Sequence, residues 1–183
     1  MNKIGNKMNK YDMGTTIGLA PYIRELGTDL VGCEIGVWEA TNLAFMLQNI
    51  LEIKTLYAVD PWQGYLDWDA DVPQEVLNWI KPIAMGKIAD FPNRVQVVEK
   101  NSVDALIDIP QLDFIFIDGD HSYAAVLADL RMYYSRVRSG GIFSGHDWSL
   151  PEVNRALMQF RAENDLAGDP ELCATDVWFW YKK

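Results

Sequence analysis

The chain contains 183 residues, which is close to the usual size of one globular domain. Hydrophobic residues make up 49% of it and charged residues 23%, and this balance argues against an intrinsically disordered protein. The 16 basic and 26 acidic residues give a formal net charge of −10. Since the sequence shows no basic face that could displace the counterions of a phosphate backbone, we predict that nucleic acid is not a partner.

The cysteines and the hydropathy pattern disfavour several further classes. Cys33 and Cys173 lie far apart in apolar surroundings, so they indicate neither a disulfide framework nor a closed zinc site. No run approaches the roughly 18 apolar residues of a membrane-spanning helix, so we predict no membrane partner. Residues 1–14 are polar and precede no apolar stretch. They predict a flexible N-terminal tail rather than a signal peptide, followed by one cytoplasmic domain over residues 15–183.

Apolar runs and helical patterns alternate along the chain. Continuous apolar runs are typical of parallel strands buried on both faces, and they occur at residues 30–35, 55–59, 94–98, 112–117 and 141–144. Helical spacing is found between or beside them, at residues 16–26, 41–51, 72–89 (interrupted by Pro82), 123–137 (ended by Gly140 and Gly141) and 151–162. Residues 171–174 and 177–181 predict a terminal hairpin. The alternation predicts one α/β domain with a mostly parallel sheet, whose ligands bind beyond the carboxyl ends of the strands.

The ends of the first two predicted strands carry residues suited to a nucleoside ligand. Gly36 lies in a strand-to-helix turn, where it lets a ligand approach the backbone beside the free N–H groups of a helix. An ordinary tight turn is the alternative. Asp60 follows the second strand, where an acid can accept hydrogen bonds from both ribose hydroxyls, although an aspartate that only caps a turn stays open. Trp62 could cover an adenine or a substrate.

The remaining strand ends carry amide, acidic and imidazole side chains. Asn101 or Ser102 could meet an adenine edge, with a helix cap by Ser102 as the alternative. The fourth and fifth strands are followed by a denser set, which could line one pocket if those strands are neighbours: Asp118, Asp120, His121, His146 and Asp147. Oxygen ligands with one imidazole suit Mg²⁺ or Mn²⁺. The alternative is a set of helix caps with a solvated acidic rim.

These motifs resemble class I S-adenosylmethionine-dependent methyltransferases, in particular the small bacterial branch related to macrocin-type and other sugar or antibiotic O-methyltransferases. The most specific stretch is residues 112–148, with the EIGVWEA turn and the VDPW segment at the expected earlier positions. The resemblance implies a Rossmann-like three-layer sandwich with a seven-stranded sheet, six strands parallel and the last antiparallel.

The resemblance also implies roles for individual residues. Glu34 and Gly36 would border the methionine part of the cofactor, Asp60 would bind the ribose, and Ser102 and Val103 would lie near the adenine. The full predicted cofactor-binding set is Glu34, Gly36, Trp38, Thr41, Asn42, Asp60, Trp62, Ser102, Val103 and Asp118. The predicted metal ligands are Asp118, His146 and Asp147, and the predicted catalytic residues are Asp120, His121 and His146. The chain departs from the family pattern in having Ala40 in place of a second glycine, Asn101 in place of an acid and His146 in place of a carboxylate.

The predicted function is therefore S-adenosylmethionine-dependent O-methylation of a small molecule or sugar, with or without Mg²⁺. Methyl transfer is an in-line displacement that needs alignment of the reactants, and an alcohol acceptor must lose its proton to a base. Three alternatives stay open: a non-catalytic partner module with the same fold, a metal-dependent phosphoesterase and a nicotinamide-dependent oxidoreductase. Two histidines are few for the phosphoesterase, and the missing glycines disfavour the oxidoreductase. A homo-oligomer is also left open.

Overall fold

A computed structural model describes residues 15–66, 71–173 and 176–183. The predicted tail, residues 1–14, lies outside the described residues, and the single domain over residues 15–183 stays a prediction. The described helices are α1 (Ala20–Glu25), α2 (Thr41–Asn49), α3 (Gln74–Ile88), α4 (Ser102–Ala105), α5 (Tyr123–Tyr133) and α6 (Pro151–Glu163). The described strands are β1 (Leu30–Ile35), β2 (Ile53–Val59), β3 (Tyr65–Leu66), β4 (Asp71–Val72), β5 (Val95–Val98), β6 (Leu112–Ile117), β7 (Val137–Gly145), β8 (Glu171–Cys173) and β9 (Val177–Tyr181).

The described part of the chain forms one seven-stranded sheet and one small ribbon. The order in the large sheet is β5-β2-β1-β6-β7-β9-β8. The first five strands of this order pair in parallel, and β9 pairs antiparallel with both β7 and β8. Six strands therefore run in one direction and β9 runs against them, which confirms the predicted sheet and terminal hairpin. The β3–β4 ribbon is antiparallel and was not expected from the sequence.

Helices cover both faces of the large sheet, which confirms the three-layer arrangement. On one face, α1, α2 and α3 bury apolar side chains such as Leu43 and Leu77. On the other face, α4, α5 and α6 do so through residues such as Leu130 and Phe160. The strands between them are apolar on both sides, as the continuous hydrophobic runs predicted. Among the described residues, no helix combines the length and apolarity that crossing a membrane requires.

Two helical predictions need correction. The pattern over residues 123–137 predicts one helix ended by Gly140 and Gly141, but α5 ends at Tyr133 and is followed by a 3₁₀ turn, Tyr134–Arg136. Both glycines lie within β7, where Gly140 has a φ of +75° and the register with β6 shifts. Pairing with β6 outweighs the local glycine signal there. The helix predicted over residues 72–89 is continuous through Pro82.

Candidate active site

A cavity of about 580 Å³ opens at the carboxyl ends of β1, β2 and β6. Its lining includes eight of the ten predicted cofactor-binding residues: Glu34, Gly36, Trp38, Thr41, Asn42, Asp60, Ser102 and Asp118. Asp120 and His121 line it as well. The volume is typical of a small-molecule site. Parallel strands bring residues from distant parts of the sequence to this edge, as predicted.

Glu34, the residue before the last of β1, is a buried acid in the cavity wall with 1% of its surface exposed. Its Oε1 accepts a hydrogen bond from Nδ2 of Asn42 at 2.8 Å. The amide orientation is fixed, because Oδ1 of Asn42 accepts from the backbone N–H and the hydroxyl of Thr16. Oε2 of Glu34 is buried without a hydrogen-bond partner among the described residues. Burial raises the pKa of Glu34 to about 8, and the hydrogen bond from Asn42 acts against this rise.

The turn between β1 and α2 is held by Gly36 and Asp60. Gly36 has a φ of +83°, and a Cβ there would overlap the backbone carbonyl of Asp118, so glycine is required at this close approach. Oδ2 of Asp60 accepts from the backbone N–H groups of Val37 and Trp38 at 3.0 and 2.9 Å. Oδ1 accepts from the N–H of Trp62 at 2.7 Å. Asp60 therefore holds the turn and also faces the cavity, so the turn-capping alternative describes part of its role.

Two predicted cofactor-binding residues lie away from the cavity lining. Trp62 is buried in the core and donates its indole N–H to the carbonyl of Trp38 at 2.9 Å. The side chain of Val103 is 58% exposed. The geometry therefore gives no support to a stacking role for Trp62 or a side-chain contact by Val103. The alternative in which Ser102 caps a helix is wrong, because Asn101 is the cap of α4.

The side chains that follow β6 and β7 form one compact cluster. Nε2 of His121 lies 2.8 Å from Oδ2 of Asp147 and 3.9 Å from Oδ1 of Asp118. Nδ1 of His146 lies 3.2 Å from Oδ1 of Asp147 and 3.5 Å from Oδ1 of Asp118. The strands β6 and β7 are paired neighbours, which brings four of the five predicted residues together. Asp120 lines the cavity with Asp118 and His121 but makes none of these contacts, and the cavity lining does not include His146 or Asp147.

The carboxylates of the cluster change the pKa of His146. Burial alone would lower the pKa of His146, but hydrogen bonds and charges from Asp118 and Asp147 raise it to about 10. Burial acts to raise the pKa of Asp147, but hydrogen bonds from His121 and His146 hold it well below its usual range. The two carboxylates therefore favour the imidazolium form of His146, which has no lone pair to act as a base.

The donor set in this cluster fits a divalent cation. Two carboxylate oxygens and one imidazole nitrogen, from Asp118, Asp147 and His121, lie within 4.8 Å of one another. Carboxylate ligands suit Mg²⁺ or Mn²⁺, and an imidazole is more typical of Mn²⁺ and later transition metals. The predicted set contained His146 in the place that His121 occupies in this group.

Sequence reasoning missed one buried acid in the cavity wall. Asp129 lies in α5 with 4% of its surface exposed, and it lines the cavity. Burial raises its pKa to about 7, while a hydrogen bond from the Ser102 side chain acts to lower it. The pattern contains a signal for this residue, because a lone acid among Val126, Leu127 and Leu130 lies on the apolar side of the helix.

Comparison with known proteins identifies related sequences. The profile of a family described as a methyltransferase domain matches residues 33–148. An uncharacterised protein of Acanthamoeba polyphaga mimivirus, R132, is 31% identical over an alignment of 148 residues, and the match covers 73% of this chain and 62% of that protein. The chain therefore spans less than two thirds of this relative.

Solved structures share the fold at low identity. The O-methyltransferase NovP superposes with a TM-score of 0.63 and 20% identity over 90% of this chain and 79% of NovP. CalS11, a TDP-rhamnose 3′-O-methyltransferase of calicheamicin biosynthesis, superposes with a TM-score of 0.57 and 17% identity over 88% of this chain and 76% of CalS11. At these identities the similarity supports the fold alone.

Proposed function

The chain belongs to the methyltransferase family whose profile covers residues 33–148, and from this premise we propose that it methylates an oxygen atom of a small molecule such as a sugar. S-adenosylmethionine is the methyl donor of the family. The finer assignments concern where the cofactor lies, which residue takes the acceptor's proton and whether a metal ion takes part.

The buried carboxyl of Glu34 carries the proposal for the cofactor. Its Oε2 has no hydrogen-bond partner among the described residues, although it is buried in the cavity wall. A buried carboxyl oxygen without a hydrogen-bond partner is costly, so the site favours a ligand that brings a donor and a positive charge with which the ionised carboxylate can pair. The ammonium group of S-adenosylmethionine supplies both. We therefore assign the methionine end of the cofactor to Glu34.

The rest of the wall orients the cofactor across the strand ends. Asp60 follows β2, and the lone pairs not used by its three backbone N–H partners can accept from the ribose. Ser102, beyond the end of β5, is then at the adenine end. With this orientation, the methyl group on the sulfonium of the cofactor points toward the cluster formed by residues 118–121 and 146–147.

Proton removal from the acceptor is assigned to His121. It lines the cavity, and its Nε2 lies 2.8 Å from a carboxylate oxygen of Asp147. A carboxylate that is hydrogen-bonded to one imidazole nitrogen orients the ring. It also stabilises the imidazolium that forms when the other nitrogen takes a proton. His146 keeps Asp118 and Asp147 in place as their cationic partner. The acceptor oxygen attacks the methyl carbon while the carbon–sulfur bond breaks, and S-adenosylhomocysteine leaves as a neutral thioether.

A divalent cation would be held by Asp118, Asp147 and His121. Such an ion supplies positive charge that lowers the pKa of the acceptor's hydroxyl group. Because His121 is both a candidate ligand and the assigned base, the two roles predict different results when this residue is changed.

Calorimetry tests the cofactor assignment. We expect S-adenosylmethionine and S-adenosylhomocysteine to bind the unmodified chain with micromolar dissociation constants, and NAD not to bind. Failure of both methionine-derived ligands to bind would overturn the proposed function. The variant Glu75→Gln, which changes an exposed carboxyl of α3, is the matched control for substitutions at Glu34.

Formation of S-adenosylhomocysteine with a panel of sugars and phenols tests the catalytic assignment. We expect His121→Ala and Asp147→Asn to reduce turnover about 100-fold or more, in line with loss of a general base, with cofactor affinity changed by less than about threefold. A non-catalytic module would bind the cofactor and give no product with any acceptor.

Titration of the same proteins with Mn²⁺ and Mg²⁺ separates the two roles of His121. If His121 is the base and no more, then metal binding survives in His121→Ala. If metal affinity falls with this substitution and added metal activates the unmodified chain, His121 is a ligand, and the assignment of the proton to it is refuted in favour of Asp120.

A further inference from the structure

Thr16 is a buried polar residue beside the cavity that the proposed reaction does not use. It lies in the 3₁₀ turn Thr15–Gly18, with none of its surface exposed, and the preceding residue, Thr15, lines the cavity. A polar side chain at this depth is costly unless it has a hydrogen-bond partner. Thr16 lies outside residues 33–148, which the family profile matches, so membership of the family assigns it no role.

Both donors of Thr16 point to one oxygen of Asn42. Oδ1 of Asn42 accepts from the Thr16 backbone N–H at 2.9 Å and from the Thr16 hydroxyl at 2.8 Å. Because a backbone N–H can only donate, the oxygen end of the amide must face Thr16. The nitrogen end therefore faces Glu34, and Nδ2 donates to Oε1 of Glu34 at 2.8 Å. Thr16 thus sets the direction of both hydrogen bonds of the Asn42 amide.

The direction of the Asn42 amide matters for the charge of Glu34. An N–H donated to Oε1 stabilises the carboxylate form, so the hydrogen bond from Asn42 acts to lower the pKa of Glu34. A reversed amide would place its own oxygen against Oε1 and would stabilise the protonated acid instead. With the amide as it stands, Oε1 is occupied, and Oε2 is the oxygen buried without a hydrogen-bond partner among the described residues.

We propose that Thr16 is a positioning residue that holds the Asn42 amide in the direction that supports the ionised form of Glu34, so that Oε2 can pair with the ammonium group of the cofactor. Thr16 acts through Asn42 and does not itself contact the ligand. Asn42, which the sequence predicts to bind the cofactor, then contributes through Glu34. This inference rests on the proposed function, because it requires the methionine end of the cofactor at Glu34.

Calorimetric binding of S-adenosylhomocysteine and of its deaminated analogue, in which hydrogen replaces the α-amino group, tests this inference. The ratio of the two dissociation constants reports the contact of the ammonium group. We expect the unmodified chain to prefer the amino ligand about 30-fold or more, the value of a hydrogen bond between charged groups. Thr16→Val removes the hydroxyl at nearly constant shape and should lower this ratio about fivefold, whereas Thr16→Ser keeps the hydroxyl and should leave it within about twofold.

A double variant separates an effect through Asn42 from a local effect of Thr16. Asn42→Ala should lower the ratio about tenfold, because Glu34 loses its donor. If Thr16 acts through Asn42, adding Thr16→Val to Asn42→Ala should change the ratio no further. A purely structural role of Thr16 would weaken both ligands alike and leave the ratio unchanged. If Thr16→Val does not fold, Thr16→Cys replaces it, because a thiol is a much weaker donor than a hydroxyl.

Thr28→Val is the matched control. Thr28 is an exposed residue before the start of β1, at the opposite end of that strand from the cavity, so its change should not alter the ratio. An unchanged ratio in Thr16→Val, or a further fall in the double variant, would refute this inference alone. Equal binding of both ligands by the unmodified chain would refute the ammonium contact of Glu34, and absence of binding would refute the proposed function. Either result would refute this inference as well.

Discussion

Replacing Glu34 with glutamine removes an ionisable group whose charged form is made costly by its burial in the cavity wall. The fold raises its pKa from 4.5 to about 8. Between these values the unfolded chain has released a proton that the folded chain retains, so rising pH favours the unfolded state. The resulting loss in the free energy of unfolding begins near pH 4.5 and is complete above about pH 8. It amounts to roughly 5 kcal/mol, at about 1.4 kcal/mol for each pKa unit.

The expected result is a difference between two proteins that grows with pH. From pH 6 to pH 9, ionisation of Glu34 should lower the free energy of unfolding of the unmodified chain by about 2.5 kcal/mol, while Glu34→Gln lacks this term. The unpaired amide of the glutamine has a cost of its own, but that cost does not vary with pH. All other ionisable groups are common to both proteins and cancel in the difference.

Urea denaturation at pH 6, 7, 8 and 9 measures this difference. Glu75→Gln, in which an exposed carboxyl is removed, should run parallel to the unmodified chain throughout. If the stability of Glu34→Gln relative to the unmodified chain stays constant from pH 6 to pH 9, then Glu34 does not have the raised pKa argued from its burial.

Cofactor binding provides a second measurement on the same group. With a pKa of about 8, Glu34 is about nine-tenths protonated at pH 7. An ammonium group placed against it should ionise it, so binding of S-adenosylmethionine should release about 0.9 proton. Calorimetry in phosphate and in Tris reports that number, and Glu34→Gln should release none from this position. Equal proton release by both proteins would contradict the assigned contact.

Three further predictions concern the walls and supports of the site. Gly36→Ala should lower the free energy of unfolding by about 2 kcal/mol or more and remove most of the cofactor affinity, because φ of Gly36 is +83° and a Cβ would overlap the carbonyl of Asp118. Urea denaturation measures the stability and calorimetry the affinity, and an unchanged affinity would contradict the prediction. His146→Asn should lower the free energy of unfolding most near pH 7 and less as pH approaches about 10, because the raised pKa of His146 means that its stabilising charge is lost as pH rises through that value. Urea denaturation of the variant and the unmodified chain at pH 7 and pH 9.5 measures this effect. A loss of stability that grows with pH would count against the ion pairs with Asp118 and Asp147. Arg94→Ala should lower the free energy of unfolding by about 2–4 kcal/mol, because the Arg94 guanidinium donates to carbonyls at the end of α2 and the start of β2. Cofactor affinity should stay within about twofold, and a larger change would show that Arg94 also supports the cavity.

The prediction of the fold succeeded where the evidence was local. The apolar runs at residues 30–35 and 112–117 coincide with β1 and β6, because a strand buried on both faces must be apolar at consecutive positions. The predicted helix was wrong at residues 134–140 because the conformation there depends on a distant strand. Gly140 and Gly141 look like a helix end in isolation, but pairing of β7 with β6 decides the conformation there. Such pairing depends on a strand more than 20 residues away.

For the site, too, features that depend on nearby residues could be predicted, and features that depend on contacts between distant residues could not. Acids and histidines after strands β2, β6 and β7 could be assigned to one edge from the strand pattern, since parallel strands end together. The pattern could not say that Asp60 holds the β1–α2 turn, or that one oxygen each of Asp118 and Asp147 lies close to a nitrogen of His121. These outcomes depend on side-chain directions within a few ångströms.

The sequence by itself determined the alternation of strands and helices, the acidic strand ends and the resemblance to methyltransferases, because each is written in residues close together along the chain. Only the tertiary structure decided that β9 lies between β7 and β8, that one oxygen of Glu34 is buried without a hydrogen-bond partner among the described residues, and that Asp129 reaches the cavity wall beside Ser102. Burial and hydrogen-bond partners arise from packing between distant segments, and they set the pKa values on which the chemistry of this cavity depends.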